Sequence, residues 1–429
     1  MRLKRDSVTL LRSIGGAVRL IVRGNKAYYA WCAALLVLIG IGAVAYAQQL
    51  RSGLIVTHMS DQVSWAFYIG NFTFLVGVAA AAIMLVIPAY VYHWGPIKEI
   101  VILGELLAIS AVVMCLLFVT VDMGHPERAW HMLPGLGTLN FPVAILAWDV
   151  VVLNLYLLLN VTIVAYLLYT WYTGRAVNHR FLWPLVISTI PVAVSIHTVT
   201  ACIYAGMVAR PYWNAAVLAP RFLASAFCSG PAVLTVLLQI LRRTTRLKIQ
   251  DAAIWKIAEL MAYAMAINLF LTGAEAFKEF YAGGQHRVFT EFYFLGLGVH
   301  RTLVPYAWGA VACDFTAFLL LLLPATRKNV LTLNLGCLLI YAGTYIEKGM
   351  GLLIPGFTPD ALGEIYDYTP SMNEVLIAAG VFSVGFLLYT VSVKVAVPVM
   401  LGEFRHCARA SDPVAAAPAA PRRGYGEAL

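Results

Sequence analysis

Ten apolar runs, most of them twenty residues or longer, fill this chain and leave it few ways to fold. They cover residues 28–47, 65–92, 100–121, 141–170, 184–207, 222–241, 257–277, 303–323, 330–346 and 374–399. A helix rises about 1.5 Å per residue, so about twenty residues cross the roughly 30 Å hydrocarbon layer of a bilayer. In lipid the backbone must satisfy its own hydrogen bonds, which leaves helices or a closed barrel. These runs are too long and too evenly apolar for barrel strands. Composition agrees: 12% of residues are charged, where a soluble chain carries roughly a quarter. The reading is an all-α membrane protein of about ten transmembrane helices. The first run follows a basic stretch but lacks a small-residue cleavage pattern, so it reads as a retained helix rather than a signal peptide.

A formal net charge of +9 raises nucleic-acid binding, but the placement of the charges excludes it. Twenty-one lysines and arginines fall in one set of segments, including Lys98, Arg180, Arg246 and Lys328, and eight in the alternate set, including Arg51, Arg128, Arg210, Arg221 and Lys348. Basic residues concentrate on the cytoplasmic side, so both termini are expected in the cytoplasm and the charge-poor loops in the periplasm. The seven cysteines are scattered without a C-x-x-C pair, which offers neither a cluster site nor a disulfide framework. The same spacing gives a basic N-terminus (1–27), a first helix and loop (28–64), two four-helix bundles (65–207 and 208–346), a loop with the last helix (347–403) and a disordered tail (404–429). The bundles read as a parallel repeat. Residues 104–118 resemble 258–271, with Glu105 answering Glu259, and Ala147-Trp148 with Asn154 answers Ala307-Trp308 with Asp314.

Ionisable groups inside spans are costly and mark functional paths by default. Chain position puts Tyr68, Asn71, Asp122, His125, Asp149 and His197 in the charge-poor half of the first bundle. A carboxylate, an imidazole, an amide and a phenol at similar depth suit a quinone headgroup, which needs a hydrogen-bond partner at each carbonyl and a group that exchanges a proton. Asp149 and His197 are the candidate catalytic pair. The loop Asp122-Met-Gly-His-Pro-Glu-Arg128 adds Arg128, placed to pair with Asp122 or with a docked partner. The competing reading makes Asp149 and His197 interhelical glue. A second polar set comprises Glu105, Glu259, Asn268, Glu275, Asp314, Glu347 and Lys348. Glu105 and Glu259 lie near helix ends where snorkelling competes with proton conduction, and Glu105, Glu259, Glu275 and Asp314 are the candidate proton path. Only His197 lies well inside a span, so no pair of axial ligands for haem b is on offer, and no metal site is expected.

The Asp122–Arg128 element with nearby Trp130, the motif Arg210-Pro-Tyr-Trp-Asn214 followed by Phe222-Leu-Ala-Ser-Ala226, and Trp148-Asp-Val-Val-Val-Leu-Asn154 resemble the NrfD/PsrC-like (polysulfide reductase NrfD) membrane subunits. The similarity runs from about residue 65 to 403 and is greatest to the ten-helix branch of sulfite-reduction-associated complexes. It implies a multi-pass subunit of the bacterial inner membrane that binds a quinone, menaquinone or ubiquinone, and holds no haem or iron–sulfur cluster itself. The implied partners are a periplasmic ferredoxin-like iron–sulfur subunit, a multihaem cytochrome c and another membrane subunit. Two other classes compete. A secondary transporter would show Gly/Pro-broken helices in corresponding positions of both halves, whereas Pro191 and Pro231 do not correspond. A structural anchor would not need Asp149 and His197 at one depth.

Overall fold

The computed structural model describes residues 13–405 except Pro134 and Gln285. The tail expected to be disordered, and most of the basic N-terminus, lie outside the described residues. Among the described residues ten helices are long and apolar enough to cross a membrane: α1 Lys26–Ser52, α2 Phe67–Val91, α3 Val101–Asp122, α4 Ile145–Thr173, α5 His179–Ala205, α6 Leu218–Thr244, α7 Asp251–Ala282, α8 Val304–Leu322, α9 Val330–Phe357 and α10 Met372–Met400. No strand occurs among the described residues.

Helix ends follow local chemistry. Asn25 caps α1 by accepting the Tyr28 amide at 2.8 Å. Ser371 and Glu374 form a reciprocal capping box at the start of α10, which satisfies two amides the helix would otherwise orphan. Gly174 closes α4 at φ 68°, a left-handed position where a Cβ would be strained.

Helices α2 to α5 pack in a ring, and so do α6 to α9. The rings meet where α2 lies on α6 and α9, and α5 on α6. Helices α1 and α10 pair with each other, and α10 leans on α3. Apolar surface drives no association in lipid, so close approach through small residues does that work. A Cβ on Gly42 would lie 2.7 Å from the Gly380 Cα, and a Cβ on Gly380 2.9 Å from the Gly42 Cα. The two glycines set the crossing of α1 and α10.

Pro191 and Pro231, read as interruptions, do not interrupt: α5 runs through Pro191 and α6 through Pro231. The breaks fall elsewhere. In α2 the Ala80 amide turns from its helical partner to the Gly77 carbonyl at 3.2 Å, and the helix ends in a wide turn over Ile87–Val91 containing Pro88. Gly230 of α6 fills the first break, since a Cβ there would meet the Ala81 amide at 2.8 Å and the Val78 carbonyl at 2.9 Å. In α9 the chain kinks at Gly349 (φ −84°, ψ −113°) and resumes as helix to Phe357. The sequence reading has loop after residue 346. The helix continues because Met350–Phe357 stays buried against the other helices.

Candidate functional site

The charge-poor face carries the loops that follow each odd-numbered helix. Its Arg210–Asn214 motif acts as a clamp on the end of α9. Arg210 donates to the Phe357 carbonyl at 3.2 Å, Tyr212 to Gly351 at 3.3 Å, and Trp213 to Leu352 at 2.8 Å. Trp213 is fully buried, and only a glycine fits at 356 beneath its ring. The neighbouring loop is open: His125 and Glu127 pair at 2.8 Å, both well exposed. Glu127's own backbone amide, then His125, hold its carboxyl below the usual range. Arg128 is exposed and makes no ion pair with Asp122 among the described residues.

The first bundle brings the candidate pair close. Helix α4 begins at Ile145, four residues later than its apolar run, so Asp149 lies about 6 Å into the helix rather than the 12 Å that the run implies. Its Oδ1 accepts from Thr200 Oγ1 at 2.9 Å, one turn from His197 on α5. His197 is fully buried; its Nδ1 lies 2.7 Å from the Ala193 carbonyl, and its Nε2 has no partner among the described residues. A carbonyl only accepts, so Nδ1 carries the proton and Nε2 is left as the acceptor. The Val76 backbone lies beside the ring. Asp122 Oδ1, at the mouth, is buried without a partner. Tyr204 and Thr73 share a 2.5 Å hydrogen bond between α5 and α2.

Two expected members face elsewhere. Tyr68 donates to Gln49 Oε1 at 2.8 Å, and Gln49 in turn donates to the Val121 carbonyl at 2.6 Å, so this phenol ties α2 to α1 and α3. Asn71 accepts from Tyr345 of α9 at 2.8 Å, across the seam between the rings.

The second bundle holds an open cleft of about 700 Å³, lined by Tyr212, Arg221, Asn268, Glu275, Asp314 and Glu347 among others. Arg221 is its hub. It donates to Glu347 Oε1 from Nε at 2.9 Å and from Nη2 at 2.7 Å, and it pairs with Glu275 through Nη1. Thr272 and Asn268 add hydrogen bonds to Glu347 at 3.0 and 3.2 Å. Asn268 Oδ1 and Asp314 Oδ1 are buried without partners. Burial raises the phenols of Tyr212 and Tyr293 at the cleft mouth above their usual range, so both stay protonated.

Glu259 sits at the opposite, charge-rich end, within 3.5 Å of Lys256 and 3.8 Å of Arg327, so the structure does not bring it to Glu275 and Asp314. Glu105 does not snorkel but is buried with Oε2 unpartnered, because α3 lies inside the first bundle where no interface is in reach. The sequence reading missed Thr200, Tyr204 and Gln49, which carry no charge. It counted Arg221 and Lys348 as loop residues, because both helices outrun their apolar stretches.

Comparison with known proteins adds the lineage. Residues 55–359 match the family model described as polysulphide reductase, NrfD. The chain is 27% identical over 394 residues to a candidate membrane subunit of a dimethyl sulfoxide reductase from Halobacterium salinarum, covering 83% of this chain and 87% of that protein. It is 24% identical over 406 residues to a selenate reductase subunit from Mesobacillus selenatarsenatis, covering 84% and 91%. It is 22% identical over 383 residues to an Hdr-like menaquinol oxidoreductase integral membrane subunit from Archaeoglobus fulgidus, covering 86% and 92%.

Proposed function

The chain belongs to the polysulphide reductase NrfD family, and from that premise we propose that it is the quinone-handling integral membrane subunit of a redox complex, with its headgroup site in the charge-poor half of the first bundle. The observation that carries the site is the unspent polar capacity there: His197 Nε2 and Asp122 Oδ1 are buried without partners, and Asp149 accepts a single hydrogen bond. Buried polar atoms are nearly always satisfied, and a headgroup with two carbonyl or hydroxyl oxygens fits the deficit. A bound quinone supplies two-electron, two-proton redox chemistry at this place. His197 accepts a hydrogen bond, and then a proton, at Nε2, while Nδ1 stays held by the Ala193 carbonyl. Thr200 orients Asp149, whose second oxygen is free to share a proton. Menaquinone is the favoured quinone, since one relative is named for menaquinol.

On this reading the charge-poor face is periplasmic and meets a ferredoxin-like iron–sulfur subunit. A multihaem cytochrome c and a second membrane subunit join them in a complex of dissimilatory sulfur metabolism. Glu275 and Asp314 form the proton path of the second bundle. Asp149→Asn and His197→Ala should each assemble normally and lower quinone-dependent turnover by roughly 10²-fold. Near-normal turnover and quinone affinity in both assembled variants would exclude the site.

A further inference from the structure

The seam between the two rings contains a buried cation that neither site accounts for. Lys348 is 3% exposed. The one hydrogen bond its ammonium makes among the described residues is to the Phe222 carbonyl, at 2.8 Å, with the Phe222 ring centroid 5.0 Å away. Burying a charge without a counter-ion is costly, so a lysine held this way calls for a reason. Its surroundings give one. A Cβ on Gly77 of α2 would lie 3.2 Å from Lys348 Nζ and 3.0 Å from Ser229 Oγ of α6, so the amine and the hydroxyl converge on the same small residue. Ser229 Oγ is buried without a partner. Beside Val76, the neighbouring residue of α2, lies His197, whose Nε2 is also without a partner among the described residues. Gly77, Ser229, Lys348 and His197 all lie about 12–16 Å from the charge-poor ends of their helices, at 1.5 Å per residue.

The other end of the connection is one residue away. Glu347 points into the second-bundle cleft and holds Arg221, while Lys348 points into the seam. The kink at Gly349 follows directly. The groups facing Lys348 are therefore Glu347 on its own helix, Cys228 and Arg221 on α6, and His197 on α5.

We propose that Lys348 relays protons between the quinone site of the first bundle and the carboxylates of the second. The proposal rests on the quinone reading given above. His197 takes a proton from the headgroup hydroxyl at Nε2; Lys348 yields a proton from its ammonium to Glu347 and the Asp314 cleft; the neutral amine, with Ser229 Oγ alongside, then accepts the proton from His197 at Nζ. Each step breaks one O–H or N–H bond and forms another, and the electrons leave separately toward the redox partner. A lysine suits the task because its ammonium can give up a proton when buried, which a guanidinium cannot.

That difference supplies the test. The intact complex, reconstituted in proteoliposomes with a short-chain menaquinol analogue, is assayed for electron transfer and for protons moved per electron. Lys348→Met and Lys348→Arg should both lower the proton-to-electron ratio at least several-fold, as Asp314→Asn should, while quinone affinity stays near wild type. Gly77→Ala leaves every titratable group in place but crowds Nζ and Ser229 Oγ; it should lower the ratio less, and it decides the matter if the lysine variants do not assemble. Restoration of the full ratio by Lys348→Arg would show that only a fixed positive charge is needed and overturn the relay. A wild-type complex that moves no protons with turnover would overturn it as well. Quinone affinity, measured in the same samples, reports separately on the headgroup site.

Discussion

Arg221 stands between two carboxylates near the mouth of the second-bundle cleft, and its removal isolates them. A buried pair broken on one side costs about 3–5 kcal/mol, and Glu347 would keep only its Thr272 and Asn268 hydrogen bonds. Arg221→Met should therefore lower the thermal stability of the detergent-solubilised protein markedly, and adding Glu347→Gln to it should recover much of the loss. An unchanged melting temperature in Arg221→Met would mean that Glu275 and Glu347 take up protons at no cost. Single residues were legible in the sequence where a titratable group falls inside an apolar run. Asp149, His197 and Asp314 stand out that way, and Asp149 accepts from Thr200, one turn from His197. Neutral partners carry no such signal: nothing in the spacing distinguishes Thr200 or Gln49 from the other polar residues of their helices. Tyr68 and Asn71 show the reverse limit. They lie in the charge-poor half as chain position implies, but the helical face they occupy turns them toward Gln49 and Tyr345.

Helices obey a different rule. An apolar run reports its own existence, because the bilayer demands it, but it does not say which face is inward, since lipid and protein interior are equally apolar. All ten helices could be read for that reason, while the breaks at Ala80 and Gly349 could not, because the apolar runs carry no sign of them. Gly230 lies against the Ala80–Ala81 turn, and Trp213 lies on the end of α9. Gly230→Ala should accordingly destabilise the protein by roughly 1–3 kcal/mol, the range for overpacking, read as a fall in melting temperature; a neutral result would mean that α6 can retreat from α2. The proposed repeat has one local parallel. Trp148 donates to the Pro142 carbonyl at 2.8 Å and Trp308 to the Phe294 carbonyl at 2.9 Å. At the same alignment, though, Asn154 is exposed and Asp314 buried, so the two rings differ where chemistry is concerned.

For the molecule as a whole, the charge bias predicts orientation. Reporter fusions after Arg180, Arg246 and Lys328 should report cytoplasm and those after Arg128 and Arg287 periplasm; two or more inversions would mean that the helix count is wrong. The family match and the ten helices make this a membrane subunit of the NrfD kind, and the two rings then offer two places for a quinone. One is the packed first bundle with its unpartnered His197, the other the open cleft around Asp314. Photolabelling of the intact complex with an azidoquinone, followed by peptide mapping, distinguishes them most directly. The account predicts label on α2, α4 and α5 near Thr73, Asp149 and His197, suppressed by excess menaquinone. Label confined to α7 and α8 around Asn268 and Asp314 would contradict it.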